Sequence, residues 1–491
     1  MSQLIEALTK RAAIEPDAPF LLGKDRTLDF AKTLAEVDAL APRLEGHCLG
    51  LLMDNGPAWA VADLAAIQSG LTCVPIPPFF SPAQMQHSLA DAGVDLLLTD
   101  HSDAVSRLCG LSPVETVEVA GQSLSLFRLP VEKQAARLDG IAKVTYTSGT
   151  TGTPKGVCLS LEAMERVAQS LAQITEATAQ DRALSLLPLS TLLENIGGLY
   201  VPLLAGGRCS LLPMAQVGML GASALDLPSL LAALQQQRPT SIILIPQLLQ
   251  ALVEAAEAGA PLPDSLRFIA VGGAPVAESL LRRAEALDLL VYEGYGLSEA
   301  ASVVAVNSPA AKRIGSVGRS LPHIQVRIAE DGEIQLKGNL FKGYLGDQPT
   351  TDGFWPTGDL GHLDDDGFLH LTGRKKNIFI TAFGRNVAPE WVERELLTQP
   401  AIAQVAIFGE ARPFNIAVIL PRPGTDAQAI TAAVAKTNEA LPDYARIGRH
   451  LIAEEPFGIQ NGQLTGTGRP RRNNIAAHYA AAIDQIYKES A

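Results

Sequence analysis

Over most of its first 370 residues the sequence alternates short apolar runs with longer amphipathic stretches. Strands joined by crossover helices in a parallel sheet produce that rhythm, so the body is expected to be α/β. One unit runs from Gly50-Leu51-Leu52-Met53 through an expected helix, Pro57 to Gly70, to Thr72-Cys73-Val74-Pro75. A second reads Ile242-Ile243-Leu244-Ile245, a break at Pro246, a helix from Gln247 to Ala258 and a strand at Phe268-Ile269-Ala270-Val271. Leu289-Leu290-Val291-Tyr292 follows at similar spacing.

Past about Ile314 the texture changes to β-rich segments between Gly and Asp turns, at Val326 to Ile328, Glu333 to Leu336 and Phe368 to Leu371. The expected organisation is a large N-terminal domain over 1–372, with a β-rich subdomain from about 314, a hinge at 373–376 and a small α+β C-terminal domain over 377–491. Within the last, a helix is expected at Pro389 to Leu397, strands at Val405 to Phe408 and Ile416 to Leu420, and a helix at Asp426 to Leu441. A chain of 491 residues has ample material for such a division at roughly 150 residues per domain.

Lys and Arg number 39 against 52 Asp and Glu, a net charge of −13, which argues against a nucleic-acid surface; an anionic ligand must meet a local basic patch. Five scattered cysteines, with no CxxC pair, suggest neither a disulfide framework nor a zinc knuckle, and a reducing cytoplasm fits. The N-terminus mixes Glu6, Lys10, Arg11 and Glu15 into a helical pattern, unlike a signal peptide, and no run of 18 apolar residues predicts a membrane span.

The sharpest local feature is the run from Val144-Thr145-Tyr146 into Thr147-Ser148-Gly149-Thr150-Thr151-Gly152-Thr153-Pro154-Lys155-Gly156. A strand opens into a loop dense in Gly, Ser and Thr, so backbone N–H groups and hydroxyls can surround a polyphosphate while Lys155 adds charge. Pro154 and Gly156 exclude a Walker A loop, since a glycine should precede the lysine and a Ser or Thr should follow it for magnesium.

This loop resembles the signature of the adenylate-forming superfamily of acyl-CoA synthetases, non-ribosomal peptide adenylation domains and luciferases, and further motifs in the family's order extend the resemblance from about Leu49 to Arg472. Val271-Gly272-Gly273-Ala274-Pro275 resembles the strand end that lies against adenine. Tyr292-Glu293-Gly294-Tyr295-Gly296-Leu297-Ser298-Glu299 resembles the Tyr-Gly-x-Thr-Glu segment, with Ser298 for the usual Thr. The resemblance implies that Tyr295 stacks on adenine and that Glu299, with Thr150, holds magnesium on the ATP phosphates. Trp355-Pro356-Thr357-Gly358-Asp359 resembles the segment whose aspartate grips the ribose hydroxyls, and Gly373-Arg374-Lys375-Lys376 the junction on which the C-terminal domain swings. Arg374 would contact ribose or phosphate and Lys376 lie near the pivot; without the family, these four residues read as a basic linker.

Thr381-Ala382-Phe383-Gly384-Arg385-Asn386-Val387-Ala388-Pro389-Glu390 resembles the loop that enters the site for thioester formation, where Gly384 would allow backbone to approach a pantetheine arm. Leu187-Pro188-Leu189-Ser190-Thr191-Leu192-Leu193-Glu194-Asn195 resembles the segment lining the acyl pocket, with Thr191 where many members carry His. The Glu194 spacing resembles that of long-chain fatty acid enzymes, and a helix-start acid explains it equally well. At the C-terminus the family's lysine is replaced: the chain reads Leu464-Thr465-Gly466-Thr467-Gly468-Arg469, and no lysine lies between Lys436 and Lys488. Arginine keeps the charge in a planar fork that differs in shape from an ammonium.

The resemblance thus implies an ATP- and Mg2+-dependent ligase that activates a carboxylic acid, a fatty acid by preference, as its acyl-adenylate and passes it to a thiol. Coenzyme A is the simplest acceptor, and a carrier protein's phosphopantetheine arm the close alternative. The competing class is a nucleotide or acyl-adenylate binder whose adenylation step is impaired by Arg469.

Overall fold

The computed structural model describes residues 2–131, 138–147, 154–221, 224–347, 353–465 and 469–489. Two large sheets form the N-terminal body. In the first, Cys48–Leu52 pairs in parallel with both Thr72–Pro75 and Leu96–Thr99. Helix Pro57–Ser69 makes the crossover; Pro57 at its start needs no hydrogen-bond partner for its nitrogen, and Gly70 at φ +70° ends it in the left-handed conformation. Nearly all of this helix is buried, beneath the largest core, which explains its apolar circumference.

The second sheet carries Ser241–Leu244, Phe268–Val271 and Val291–Tyr295 as parallel neighbours, with helix Pro246–Glu257 between the first two. The expected break at Pro246 is the first helical residue. The strand expected from Leu289 begins at Val291 and continues to Tyr295, because Asp288 takes a left-handed turn immediately upstream. Neither sheet is purely parallel. Lys143–Thr147 and Lys155–Leu159 form an antiparallel hairpin with Thr147 opposite Lys155, and Val291–Tyr295 pairs antiparallel with Ala305–Val306. The apolar runs have the same appearance in either direction, so only the connections decide it.

The β-rich segment is an antiparallel sheet of Ile324–Ile328, Glu333–Gly338, Trp355–Leu363 and Leu369–Arg374. Beyond Arg374, helix Pro389–Leu397 and strands Ile402–Phe408, Asn415–Pro421 and Ile447–Ile452 enclose cores of their own. No helix among the described residues is long and apolar enough to cross a membrane.

Candidate active site

The carboxyl ends of the parallel strands, the β-rich sheet and the C-terminal segment border one cleft of about 3280 Å³. Tyr295, the last residue of its strand, is buried and donates its hydroxyl hydrogen to Asp359 Oδ2 at 2.7 Å. Burial, and then the Asp359 charge, push its phenol well up from the usual value. Asp359 Oδ1 pairs with Arg374 Nε at 2.8 Å, because the two residues are opposite each other in antiparallel strands. The carboxylate is thereby aimed into the cleft by a bond at each oxygen. The glycine after Tyr295 is obligatory: a Cβ on Gly296 would lie 1.6 Å from the Ser302 carbonyl oxygen.

Ser298 and Glu299 occupy a short 3-10 turn between that strand and the left-handed residues Ala301 and Ser302. Two non-glycine residues in succession at positive φ store strain of roughly 1–3 kcal/mol each, which the surrounding packing holds in place. Glu299 Oε1 accepts a hydrogen bond from Tyr344 Oη at 2.7 Å, and the ammonium of Lys155 lies 5.1 Å from the centre of the same ring. Tyr344 is seated by pairing with Val157, two residues from Lys155. Thr147, Gly272, Gly273 and Ala274 border the same cleft. Ser148, Gly149, Thr150, Thr151 and Gly152 lie outside the described residues.

No group of three or more His, Cys, Asp or Glu that could hold a metal occurs among the described residues. Magnesium bound through substrate phosphates needs only one or two protein carboxylates and keeps several waters, so an oriented single carboxylate such as Glu299 suits it.

Arg469 reaches across from the C-terminal segment and donates from Nη2 to the Gly273 carbonyl at 2.5 Å. Its backbone is tied to Thr465 by Arg469 N to Thr465 Oγ1 at 3.0 Å and Thr465 N to Arg469 O at 2.8 Å. Lys376 borders the same space, and partial burial, then the Arg374 cation, lower its ammonium from the ordinary value. Its neighbour Lys375 is anchored to the β-rich sheet, bonded to Asp331 at 2.6 Å and Glu333 at 2.9 Å.

Thr191 and Glu194 line the inner part of the cleft. Glu194 is 1% exposed, and burial pushes its carboxyl up to about 8. It nestles against a π-turn, Asn195–Tyr200, where a Cβ on Gly198 would come within 2.2 Å of Glu194 Oε1. Glu194 stands in the first turn of the short helix Leu192–Glu194, as the helix-start explanation has it, and it is buried there rather than solvated. Asn195 corrects the expectation for the acyl pocket. Its side chain turns into the core, where it accepts from the fully buried Lys143 and donates to Asp63 Oδ2 at 3.0 Å, alongside Tyr200. A buried ammonium needs several acceptors, and Asn195 supplies one.

Of the thiol-loop residues, Asn386 borders the cleft, whereas Gly384 and Arg385 are exposed outside it. Phe383 beside them is 76% exposed. Sequence reasoning missed Tyr344 and Lys143, because Tyr344 is seated by a strand partner and Lys143 bonds a helix and a turn, all distant in the chain, and neither sits in a spaced motif.

Residues 8–345 match the family model described as AMP-binding enzyme, and residues 376–491 that of the AMP-binding enzyme C-terminal domain. The long-chain-fatty-acid–CoA ligase FadD15 of Mycobacterium bovis is 28% identical, with 88% of this chain and 86% of that protein covered. Feruloyl-CoA synthase of an Amycolatopsis species is 30% identical over 85% of this chain and 88% of its own. Among solved structures, o-succinylbenzoate coenzyme A synthetase of Bacillus subtilis in complex with ATP and a magnesium ion superposes with a TM-score of 0.76 at 26% identity, covering 95% of this chain and 98% of that one. With both family models matched in order along a shared fold, the chain belongs to the AMP-binding, adenylate-forming enzymes.

Proposed function

We propose that this enzyme joins a carboxylic acid with an apolar acyl body, a fatty acid by preference, to coenzyme A through an acyl-adenylate. ATP-dependent ligation to coenzyme A is the activity its relatives support. In the first half-reaction a carboxylate oxygen attacks the α-phosphorus, the bond to the β-phosphate oxygen breaks and pyrophosphate leaves. In the second the thiol sulfur attacks the acyl carbon, AMP leaves with its oxygen and the thiol proton passes to solvent.

Such a reaction needs alignment and charge stabilisation more than a general base. Tyr295 would carry the adenine, Asp359 the ribose hydroxyls with Arg374 beside it, and Lys155 the phosphates. Magnesium, held by Glu299, supplies neutralisation of phosphate charge. Arg469 would meet the carboxylate and α-phosphate as the lysine does elsewhere in the family, its guanidinium being a competent oxyanion ligand. The observation that carries this reading is the convergence of Tyr295, Glu299, Asp359 and Arg469 on one cleft, from three separate stretches of chain. Its inner wall is apolar, with Leu184, Leu193, Val201, Ile243 and Phe268, which favours a hydrocarbon acyl group.

We further propose that the segment beyond Lys376 swings between half-reactions. Arg469 faces the cleft while Gly384 and Arg385 face away, so one docking geometry serves only the first step. Acid-dependent pyrophosphate release, measured across fatty, aryl and amino acids, tests the reading. Release with fatty acids is the expected result; release with none would overturn it and favour a binding protein with an impaired first step.

A further inference from the structure

Helix Pro82–Asp91 lies outside every segment assigned above, yet one of its faces touches the chain on either side of the Gly/Ser/Thr-rich run. Its N-terminus is fixed by reciprocal bonds between Ser81 and Gln84 with Pro82 at the first turn, and Leu89 anchors it in a core shared with Tyr146. His87 and Asp91 are four residues apart and therefore share a face. Asp91 Oδ2 accepts from Tyr146 Oη at 2.8 Å, on the strand that leads in. His87 Nε2 lies 3.0 Å from the Pro154 carbonyl oxygen, on the residue immediately before Lys155. The imidazole edge also packs against the Tyr146 ring, with centroids 6.1 Å apart.

A carbonyl only accepts, so Nε2 is the protonated nitrogen and donates. Proline has no N–H, which leaves this carbonyl as the one backbone hydrogen-bonding group at position 154. Lys155 is paired with Thr147 at the open end of the hairpin ladder, so the Pro154 carbonyl lies just before the first paired residue, where His87 bonds it.

We propose that His87 is a positioning residue for Lys155, holding the Pro154 carbonyl so that the Lys155 ammonium stands where ATP phosphates bind. The proposal rests on the reading of Lys155 as a phosphate ligand. It distinguishes ligands by their phosphates: ATP engages Lys155 through groups that AMP lacks, whereas adenine and ribose contacts at Tyr295 and Asp359 are common to both.

The test is calorimetric binding of MgATP and of AMP to the full chain. His87→Ala should weaken MgATP binding about five- to tenfold, the effect of one lost positional hydrogen bond, and leave AMP binding within about twofold. His87→Gln, whose amide reaches the place of Nε2, should restore most of the loss. Should His87→Ala fold poorly, His87→Asn, whose amide stops short of Pro154, gives the same readout with polarity kept. Unchanged MgATP affinity, or equal weakening of both nucleotides, would overturn the proposal and leave His87 as a structural tie. A wild-type chain that binds neither nucleotide would instead overturn the adenylation reading, and this proposal with it.

Discussion

The two sides of the cleft are built differently. On the N-terminal side, Tyr295 and Arg374 are both bonded to Asp359, Glu299 is bonded to Tyr344, and each sits on a strand or an adjoining turn of a sheet. On the C-terminal side, Arg469 meets the cleft through the Gly273 carbonyl, and the bonds that join the two bodies include Arg422 to Glu254 at 3.1 Å and Gln250 Nε2 to the Leu397 carbonyl at 3.0 Å. Partly exposed pairs of that kind contribute about 0–1 kcal/mol. The nucleotide side is preorganised, whereas the polar bonds named for the other side are individually weak, as the proposed swing requires.

The largest expected effect comes from the rigid side. Glu299→Gln should lower acyl-adenylate formation by about two orders of magnitude, because a charged ligand of the phosphate-bound cation becomes neutral while its shape is kept. Pyrophosphate exchange measures this, and wild-type exchange would remove Glu299 from the assignment. Next comes the docked side. Arg469→Ala should depress adenylation roughly 30- to 100-fold while sparing thioester formation from supplied acyl-adenylate, and Arg469→Lys should retain or raise activity. An alanine variant that adenylates normally would mean that this cation has no part in the first half-reaction.

The contrast sharpens at the junction. Lys375 is bonded to Asp331 and Glu333, which ties the junction to the β-rich sheet at that residue, one position before Lys376. Lys376→Pro should restrict the backbone there and impair one half-reaction about tenfold more than the other. Equal losses in both would speak against a swinging segment.

The smallest expected effect is on stability. Burial raises Glu194 from 4.5 to about 8, so between those pH values the folded chain holds a proton that the unfolded chain has released. Stability attributable to this group therefore falls as pH rises through that window and levels off above it. Glu293, also raised to about 8, and Glu393, raised to about 7, tilt the same way. Glu194→Gln should flatten the slope in part and leave the variant a few degrees more thermostable than wild type near pH 8, read by thermal unfolding across pH. An unchanged slope would mean that Glu194 is ionised in the fold.

Much of this was legible in the sequence. The strands at Cys48–Leu52, Thr72–Pro75 and Phe268–Val271, and the helices at Pro57–Ser69 and Pro389–Leu397, lie where apolar period and proline punctuation put them. Tyr295, Glu299, Asp359 and Arg469 stand out because their motifs depend on residues adjacent in the chain, and local sequence carries local geometry. Asn195 misled for the complementary reason. It stands next to Glu194 in a pocket-like segment, yet a π-turn rotates its amide into the core toward Lys143 and Asp63, which are 52 and 132 residues away.

By itself, then, the sequence determined the element order, the nucleotide motifs and the substitution of arginine for lysine, since periodicity, turn chemistry and residue identity are properties of neighbouring positions. Only the tertiary structure decided that Tyr344 bridges Lys155 and Glu299, that His87 grips Pro154, and which face of the C-terminal segment meets the cleft. Those contacts join residues brought together by sheet pairing and docking across long loops, and no short-range pattern encodes a partner whose distance along the chain is arbitrary.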